Sequence, residues 1–324
     1  MNYRVLGRTG IPVSVVAFGA GPVSGLMTGA DAEAQNAVVA RAIAAGINWF
    51  DTAPGYGQGQ SEANIGRVLE ELGAARRVHI ATKVRLPSDA PADVVDLVRR
   101  SVADSLERLR LPRVTLLQLH NGITNSRGEE PSSITPSDVL APGGVADAFR
   151  KVREEGLVGH FGLTGTGQPA AVRTVMASGE FDTIQVPYHL LNPSAGADRP
   201  TPGETDYGNI LADCASKGIA AFAIRVFAGG ALLGQPPSGH TLKTPYFPLD
   251  LYRRDLARAE RLAERVAGRM PLTELAVRFA LAHSAACSAI IGFGSPGQID
   301  DVTTLPVDRP LPADLVAAIM GGSK

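Results

Sequence analysis

The chain has 324 residues, a hydrophobic fraction of 44% and a formal net charge of -1. That composition supports a large core, and the charge balance gives no electrostatic case for binding nucleic acid or an anionic membrane surface. Its two cysteines, Cys214 and Cys287, lie far apart without metal-ligand spacing, which argues against a disulfide framework and points to buried, small-hydrophobe roles. The opening Met1-Asn2-Tyr3-Arg4 has no apolar signal core, and no run approaches a membrane span, so the cytoplasm is the expected compartment.

In chain order, Tyr3 to Ser14 reads as a small hairpin turning at Gly7 to Gly10, placed to cap the bottom of a barrel. Val15 to Phe18 is the first candidate barrel strand, and Asp31 to Ala45 a helix stopped by Gly46. Ile47 to Phe50 is an apolar, partly β-branched run that ends at Asp51. Pro54, Gly55 and Gly57 then turn the chain so that Tyr56 faces back toward that strand end. Val78 to Val84 reads as a buried strand with Lys83 near its end, and Val114 to His120 as another ending in His120. Between them, Val94, Val98, Val102, Leu106 and Leu109 mark a helix over Asp93 to Leu109, closed by Pro112.

The alternation continues with helices at Val145 to Glu155 and Pro169 to Ser178, and strands at Phe161 to Thr164 and Thr183 to Val186. Ile219 to Val226 and Ala289 to Phe293 are the seventh and eighth strands, with helices at Leu251 to Ala267 and Leu272 to His283 between them. Strands alternating with helical segments predict parallel βα units, here a (β/α)8 barrel filling 1–324 as a single domain. Three connections exceed what a barrel needs: Asn121 to Gly144, Asn192 to Thr205 and Ala228 to Leu251. All follow strands, so they are expected on one face, the first two as a substrate rim and the last as a flap over a cofactor.

Each of Asp51, Tyr56, Lys83 and His120 has an ordinary structural explanation when taken alone: a turn acceptor, a packed ring, a solvated strand terminus, a core histidine. Together they fall at the C-terminal ends of successive strands, the face of a parallel barrel where active sites form. These residues carry a family resemblance. The segments FDTAPGYGQGQSE, ATKV and LLQLH are similar, in order, to the Asp, Tyr, Lys and His motifs of the aldo-keto reductases, and the likeness runs from YRVLGRTGIPVS to IIGFGSP.

Carbonyl reduction needs hydride at carbon and a proton at oxygen, and Tyr56 is the candidate proton donor. A phenol releases its proton reluctantly at neutral pH, but a Lys83 cation about 4 Å away would stabilise the phenolate by ~4 kcal/mol at an effective dielectric of ~20. Asp51 would keep Lys83 charged and oriented, and neutral His120 would orient the carbonyl oxygen or share in proton transfer. No side chain donates hydride, and the resemblance implies a nicotinamide dinucleotide bound in extended form without a Rossmann fingerprint.

By resemblance, Thr164 and Gln185 meet the nicotinamide carboxamide. Three departures from the family pattern stand out. Thr164-Gly165 replaces Ser-Asn, Ile224-Arg225 replaces an aromatic followed by Ser, and Gly292, Phe293, Gly294, Ser295 and Gln298 supply no cation for an adenosine 2′-phosphate. Arg225 is free in this reading to reach pyrophosphate or substrate, and the amides of Gly294 and Ser295, at the helix following Pro296, to bind phosphate. The balance falls to NADP(H) over NAD(H). Aromatic residues make up only 5% of the chain and Trp49 reads as core, so a lean, polar rim points to sugars, hydroxy-aldehydes or pyridoxal-like compounds. The expected partner is therefore a small carbonyl or alcohol, handled by a monomer or weak homo-oligomer. Two other readings are a nicotinamide-binding regulatory subunit and a Schiff-base aldolase with Lys83 as nucleophile. The second conflicts with Asp51, which would raise the lysine pKa rather than lower it.

Overall fold

The computed structural model describes residues 1–320 apart from 88, 90–92 and 245–246. A short antiparallel hairpin, β1 (Tyr3–Val5) and β2 (Pro12–Ser14), pairs Tyr3 with Ser14. Eight parallel strands follow: β3 (Val16–Gly19), β4 (Trp49–Asp51), β5 (His79–Val84), β6 (Val114–Leu119), β7 (Val158–Thr164), β8 (Thr183–Pro187), β9 (Ala220–Ile224) and β10 (Ala286–Ile291). They close into a barrel in sequence order, with β10 pairing both β3 and β9. This is the (β/α)8 barrel with an N-terminal hairpin that the strand-helix alternation predicts.

Around it lie α1 (Ala32–Ala44), α2 (Gln60–Glu71), α3 (Val94–Leu109), α4 (Pro136–Leu140), α5 (Val145–Glu154) and α6 (Pro169–Met176). α7 (Ile210–Lys217), α8 (Leu249–Val266), α9 (Leu272–Ala280), α10 (Pro296–Thr303) and α11 (Ala313–Met320) complete the ring. Local signals fix the ends. The Asp31 and Asp93 side chains accept from the backbone N–H of Ala34 and Asp96, capping α1 and α3, and such caps contribute about 1 kcal/mol each. Helices α2, α4, α7 and α11 are not foreseen from the sequence: α2 carries few apolar positions and α4 lies inside what reads as a loop, while α7 and α11 are only eight residues long, too short to show a helical period.

Two cores result. Leu6, Ala17, Trp49, Ala81, Leu116, Phe222 and Cys287 fill the barrel interior, with Trp49 and Phe222 in ring contact at 4.9 Å. A larger cluster packs the outer strand faces against the helices, including Val98, Val102, Leu106 and Leu109 of α3, each contributing roughly 1.5–3 kcal/mol on burial. The hairpin closes the bottom of the cylinder. Arg4 Nη1 donates to the carbonyls of Leu281 and Ala286, at 2.9 and 2.6 Å, where β10 begins. Arg8 Nε bonds Asp182 at 2.8 Å just before β8.

All three long connections leave C-terminal strand ends. The first contains α4, and the described residues of the other two include 3-10 turns at Ser194–Gly196 and Ala228–Leu233. Arg254 Nη2 donates to Glu204 at 2.7 Å, and Arg258 pairs with the same carboxylate, tying the loop after β8 to α8. The thiols of Cys214 and Cys287 are free, buried, and pushed up to about 12 by desolvation. Among the described residues no helix is long and apolar enough to cross a membrane.

Candidate active site

Asp51 is the last residue of β4 and is buried, and its carboxylate accepts hydrogen bonds from Lys83 and from the Gln185 amide. Lys83 reaches it from β5, where the register pairs Lys83 with Gln118 of β6. Its ammonium also donates to the Thr52 carbonyl at 2.8 Å and sits 4.8 Å from the centre of the Tyr56 ring. Burial opposes the charge on Lys83, but attraction to Asp51 and Tyr56, with hydrogen bonds to both, outweighs it and holds the pKa above the ordinary lysine value.

The turn that presents Tyr56 is tightly built. Tyr56 N donates to Ala53 O at 3.0 Å, and the chain reaches α2 through Gln58 and Gly59, both in the left-handed region. Gly59 sits at φ +89°, a backbone conformation that strains any residue with a side chain, and a Cβ there would lie 2.7 Å from Arg108 Cδ, so the arginine would have to shift. Half-buried Tyr56 meets His120 edge-on, ring centres 5.8 Å apart at 81°. Burial first, then the positive charges of Lys83 and Arg85, push the His120 imidazole well below its usual pKa, so the ring is neutral at physiological pH. The four residues predicted to meet at one strand-end face are therefore within a single cluster.

Supporting groups surround them that the sequence motifs contain without revealing their roles. Ser61 Oγ donates to Ala20 O at 2.8 Å and shares a 2.8 Å hydrogen bond with Thr52 Oγ1. Glu62 is fully buried, accepting from Thr82 Oγ1 at 2.5 Å and from Arg108 Nε at 2.7 Å. The Ser-Glu pair thus locks the start of α2 to the segment that carries Lys83. Only contact geometry could reveal this, because Thr82 and Arg108 lie 20 and 46 residues from Glu62.

Thr164, the last residue of β7, and Gln185, in the middle of β8, are register partners and are both buried. Thr164 Oγ1 accepts from Gln118 Nε2 at 3.1 Å and donates to Leu119 O at 2.9 Å. Gln185, through Asp51, is joined directly to the Lys83 ammonium. Ile224 ends β9, partly exposed. Arg225 follows at φ +58°, and its guanidinium turns toward α8, 3.6 Å from Asp255 and 3.8 Å from the centre of the Phe247 ring. Gly292, Gly294 and Ser295 are exposed after β10, where Ser295 caps α10. Gly294 N donates to the Gln298 side chain at 2.7 Å, a bond that an incoming phosphate would replace. The donor set fits a dinucleotide: amide and hydroxyl partners beside the cluster, and an open Gly-rich helix start farther around the rim.

Residues 15–321 match the model of the Aldo/keto reductase family. The chain belongs to that family. It is 29% identical to L-galactose dehydrogenase of Arabidopsis thaliana, covering 93% of this chain and 86% of that one. It is 28% identical to pyridoxal 4-dehydrogenase of Microbacterium luteolum, covering 91% and 90%. The holo form of an aldo-keto reductase from Bacillus halodurans superposes with a TM-score of 0.74 at 22% identity, over 100% of this chain and 97% of that one, a likeness of fold. As an aldo-keto reductase the protein is an oxidoreductase that interconverts carbonyls and alcohols with a nicotinamide cofactor.

Proposed function

We propose that this single-domain enzyme reduces a small polar carbonyl compound, with Tyr56 delivering the proton to the carbonyl oxygen. The carrying observation is the chain Gln185–Asp51–Lys83 ending beside the Tyr56 ring. Asp51 keeps Lys83 cationic in a buried position, and the cation stabilises negative charge developing on the Tyr56 oxygen as its proton leaves. Neutral His120 can donate one hydrogen bond to the carbonyl oxygen without competing for the proton, which orients the carbon for attack.

Thr164 and Gln185 would hold the nicotinamide, Ile224 would pack on it, and Gly292, Gly294, Ser295 and Gln298 would meet phosphate. Arg225, pinned to Asp255 and Phe247, would fix the flap that covers the dinucleotide. The cofactor, when bound, supplies the hydride. NADP(H) is favoured over NAD(H) because the α10 start offers backbone donors to an additional phosphate, though no guanidinium fork accompanies them. A sugar or pyridoxal-like substrate is supported by the low aromatic content of the chain and by the two named relatives.

Tyr56→Phe tests the assignment. The acid is removed while the binding surface stays, so kcat should fall by roughly 10² to 10⁴ with cofactor affinity unchanged. Lys83→Met should behave similarly. Retention of more than about a tenth of the wild-type kcat in Tyr56→Phe would remove the phenol from the mechanism. Tight cofactor binding without turnover of any carbonyl would instead favour the regulatory reading.

A further inference from the structure

Gly21, two residues beyond the end of β3, stands beside the phenol of Tyr56. A Cβ built on it would lie 3.6 Å from Tyr56 Cε2 and 3.7 Å from Cζ, the carbon that bears the hydroxyl, and beyond its own chain neighbours no other described atom comes within 4 Å. Both distances are ordinary van der Waals contact, and the backbone at Gly21 lies outside the left-handed region, so other residues fit there without strain. A glycine at such a position lowers stability through the entropy of the unfolded chain and returns nothing in packing or backbone geometry. Building on the reductase reading above, we infer that Gly21 is a specificity-determining residue: the space it leaves beside the Tyr56 hydroxyl admits bulk next to the reacting carbon, so that the enzyme takes carbonyl compounds branched or cyclic at the adjacent carbon.

The position of that opening is fixed from both sides. Ala20 N donates to Asp51 O at 2.9 Å, and Ala20 O accepts from Ser61 Oγ at 2.8 Å, so the residue before Gly21 is bound to the segments on either side of Tyr56. Farther along the same loop, buried Asn64 donates through Nδ2 to Met27 O at 2.9 Å, and buried Gln35 through Nε2 to Leu26 O at 3.0 Å. Gly21 therefore sits next to the first anchor of a loop tied down at both ends.

Other approaches to the phenol are taken. Lys83 Nζ is 4.8 Å from the ring centre, and His120 meets the ring edge-on with centres 5.8 Å apart. A carbonyl oxygen receiving the Tyr56 proton must come within about 2.6–3.2 Å of the hydroxyl oxygen, and the side left open for what its carbon carries is the one that Gly21 borders. Filling such a space by one methylene changes selectivity by roughly 10- to 200-fold.

The test compares kcat/KM for cyclohexanecarbaldehyde and heptanal, which have the same number of carbons and differ in branching beside the carbonyl, in wild type, Gly21→Ala and Gly21→Val. The ratio of branched to unbranched should fall by about tenfold or more in Gly21→Val and by at least about threefold in Gly21→Ala. Gly21→Ala should melt no lower than wild type, so the comparison stands even if Gly21→Val fails to fold. A fall of less than about threefold in every variant that folds overturns the proposal and leaves the reductase reading intact. So does an unmoved ratio with weakened NADPH affinity in fluorescence titration, which would assign the space to the cofactor. If neither aldehyde is turned over, calorimetric titration of the NADPH-saturated protein with cyclohexanecarboxamide and heptanamide decides: a preference for the cyclic amide that Gly21→Val abolishes sustains the opening and faults the reductase reading alone, whereas no binding, or a preference unmoved by the variants, overturns the proposal.

Discussion

Replacing Asp51 by Asn should convert the best-paired buried charge in the protein into an isolated one, with a stability cost that depends on pH in a specific way. The Lys83 side chain is 1% exposed and that of Asp51 5%, so water cannot compensate for the lost carboxylate. Two outcomes are open to the stranded ammonium. Kept charged, it costs about 3–5 kcal/mol, as expected when one partner of a buried ion pair is removed. If it releases its proton instead, the cost at pH 7 is that of neutralising a lysine of ordinary pKa near 10.4, about 4.6 kcal/mol. Both routes converge on a loss of about 3–5 kcal/mol, or a fall in Tm of roughly 5–7 °C for a chain of this length.

The sign of the pH dependence distinguishes this cause from lost packing. In the wild type the folded Lys83 pKa is raised, so its contribution is fully present below the unfolded value near ~10.4 and is lost only as pH rises through the folded value. In Asp51→Asn the folded pKa is depressed, the unfolded chain binds more protons at neutral pH, and stability rises with pH by up to ~1.4 kcal/mol per unit until about pH 10. The gap between variant and wild type, measured by urea denaturation at pH 7 and pH 9, should therefore shrink by roughly 2–3 kcal/mol. A gap of the same size at both pH values, or no destabilisation at pH 7, would refute the electrostatic account of the pair.

Three further outcomes follow from the same structure. His120 has a lowered folded pKa, so the unfolded chain binds more protons below about 6.5 and stability falls with pH there; His120→Gln should lose up to ~1.4 kcal/mol less per pH unit than wild type between pH 6.5 and 5, and parallel urea midpoints in the two proteins would contradict this. Gly66→Ala places a Cβ 2.6 Å from the carbonyl oxygens of Arg108 and Leu109, so thermal melts should show a loss of about 1–3 kcal/mol, whereas Gly55→Ala, with open space around it, should melt like wild type. Fluorescence titration should give NADPH less than a tenfold advantage over NADH, because the run from Gly292 to Gln298 contains no cation; an advantage above about a hundredfold would mean that a guanidinium from elsewhere reaches the 2′-phosphate.

Much of the barrel was legible because parallel strands buried on both faces read as short apolar runs, and helices such as α3 carry their stripe and cap in plain view. Strand limits shifted by one to three residues. The last strand begins at Ala286 instead of Ala289, since small residues such as Ala286 and Ser288 give no β signal yet suit the crowded barrel interior, and it ends at Ile291, before Gly292 and Phe293. Helix α2 was hidden because seven of its residues are buried, including Ser61, Glu62, Asn64 and Gly66, so polar and small side chains occupy positions that a pattern search expects to be apolar.

The residue types and their order along the chain determined the fold class and the four groups Asp51, Tyr56, Lys83 and His120, because each strand-end position is encoded by its own local run. What the sequence left open was which groups act on one another. The bonds from Gln185 to Asp51, from Glu62 to Thr82 and Arg108, and from Arg225 into α8 join residues that local rules treat as independent. Barrel closure brought them within reach. Burial then set the strength of each contact, since the same ammonium and carboxylate interact weakly in water and strongly where water is excluded.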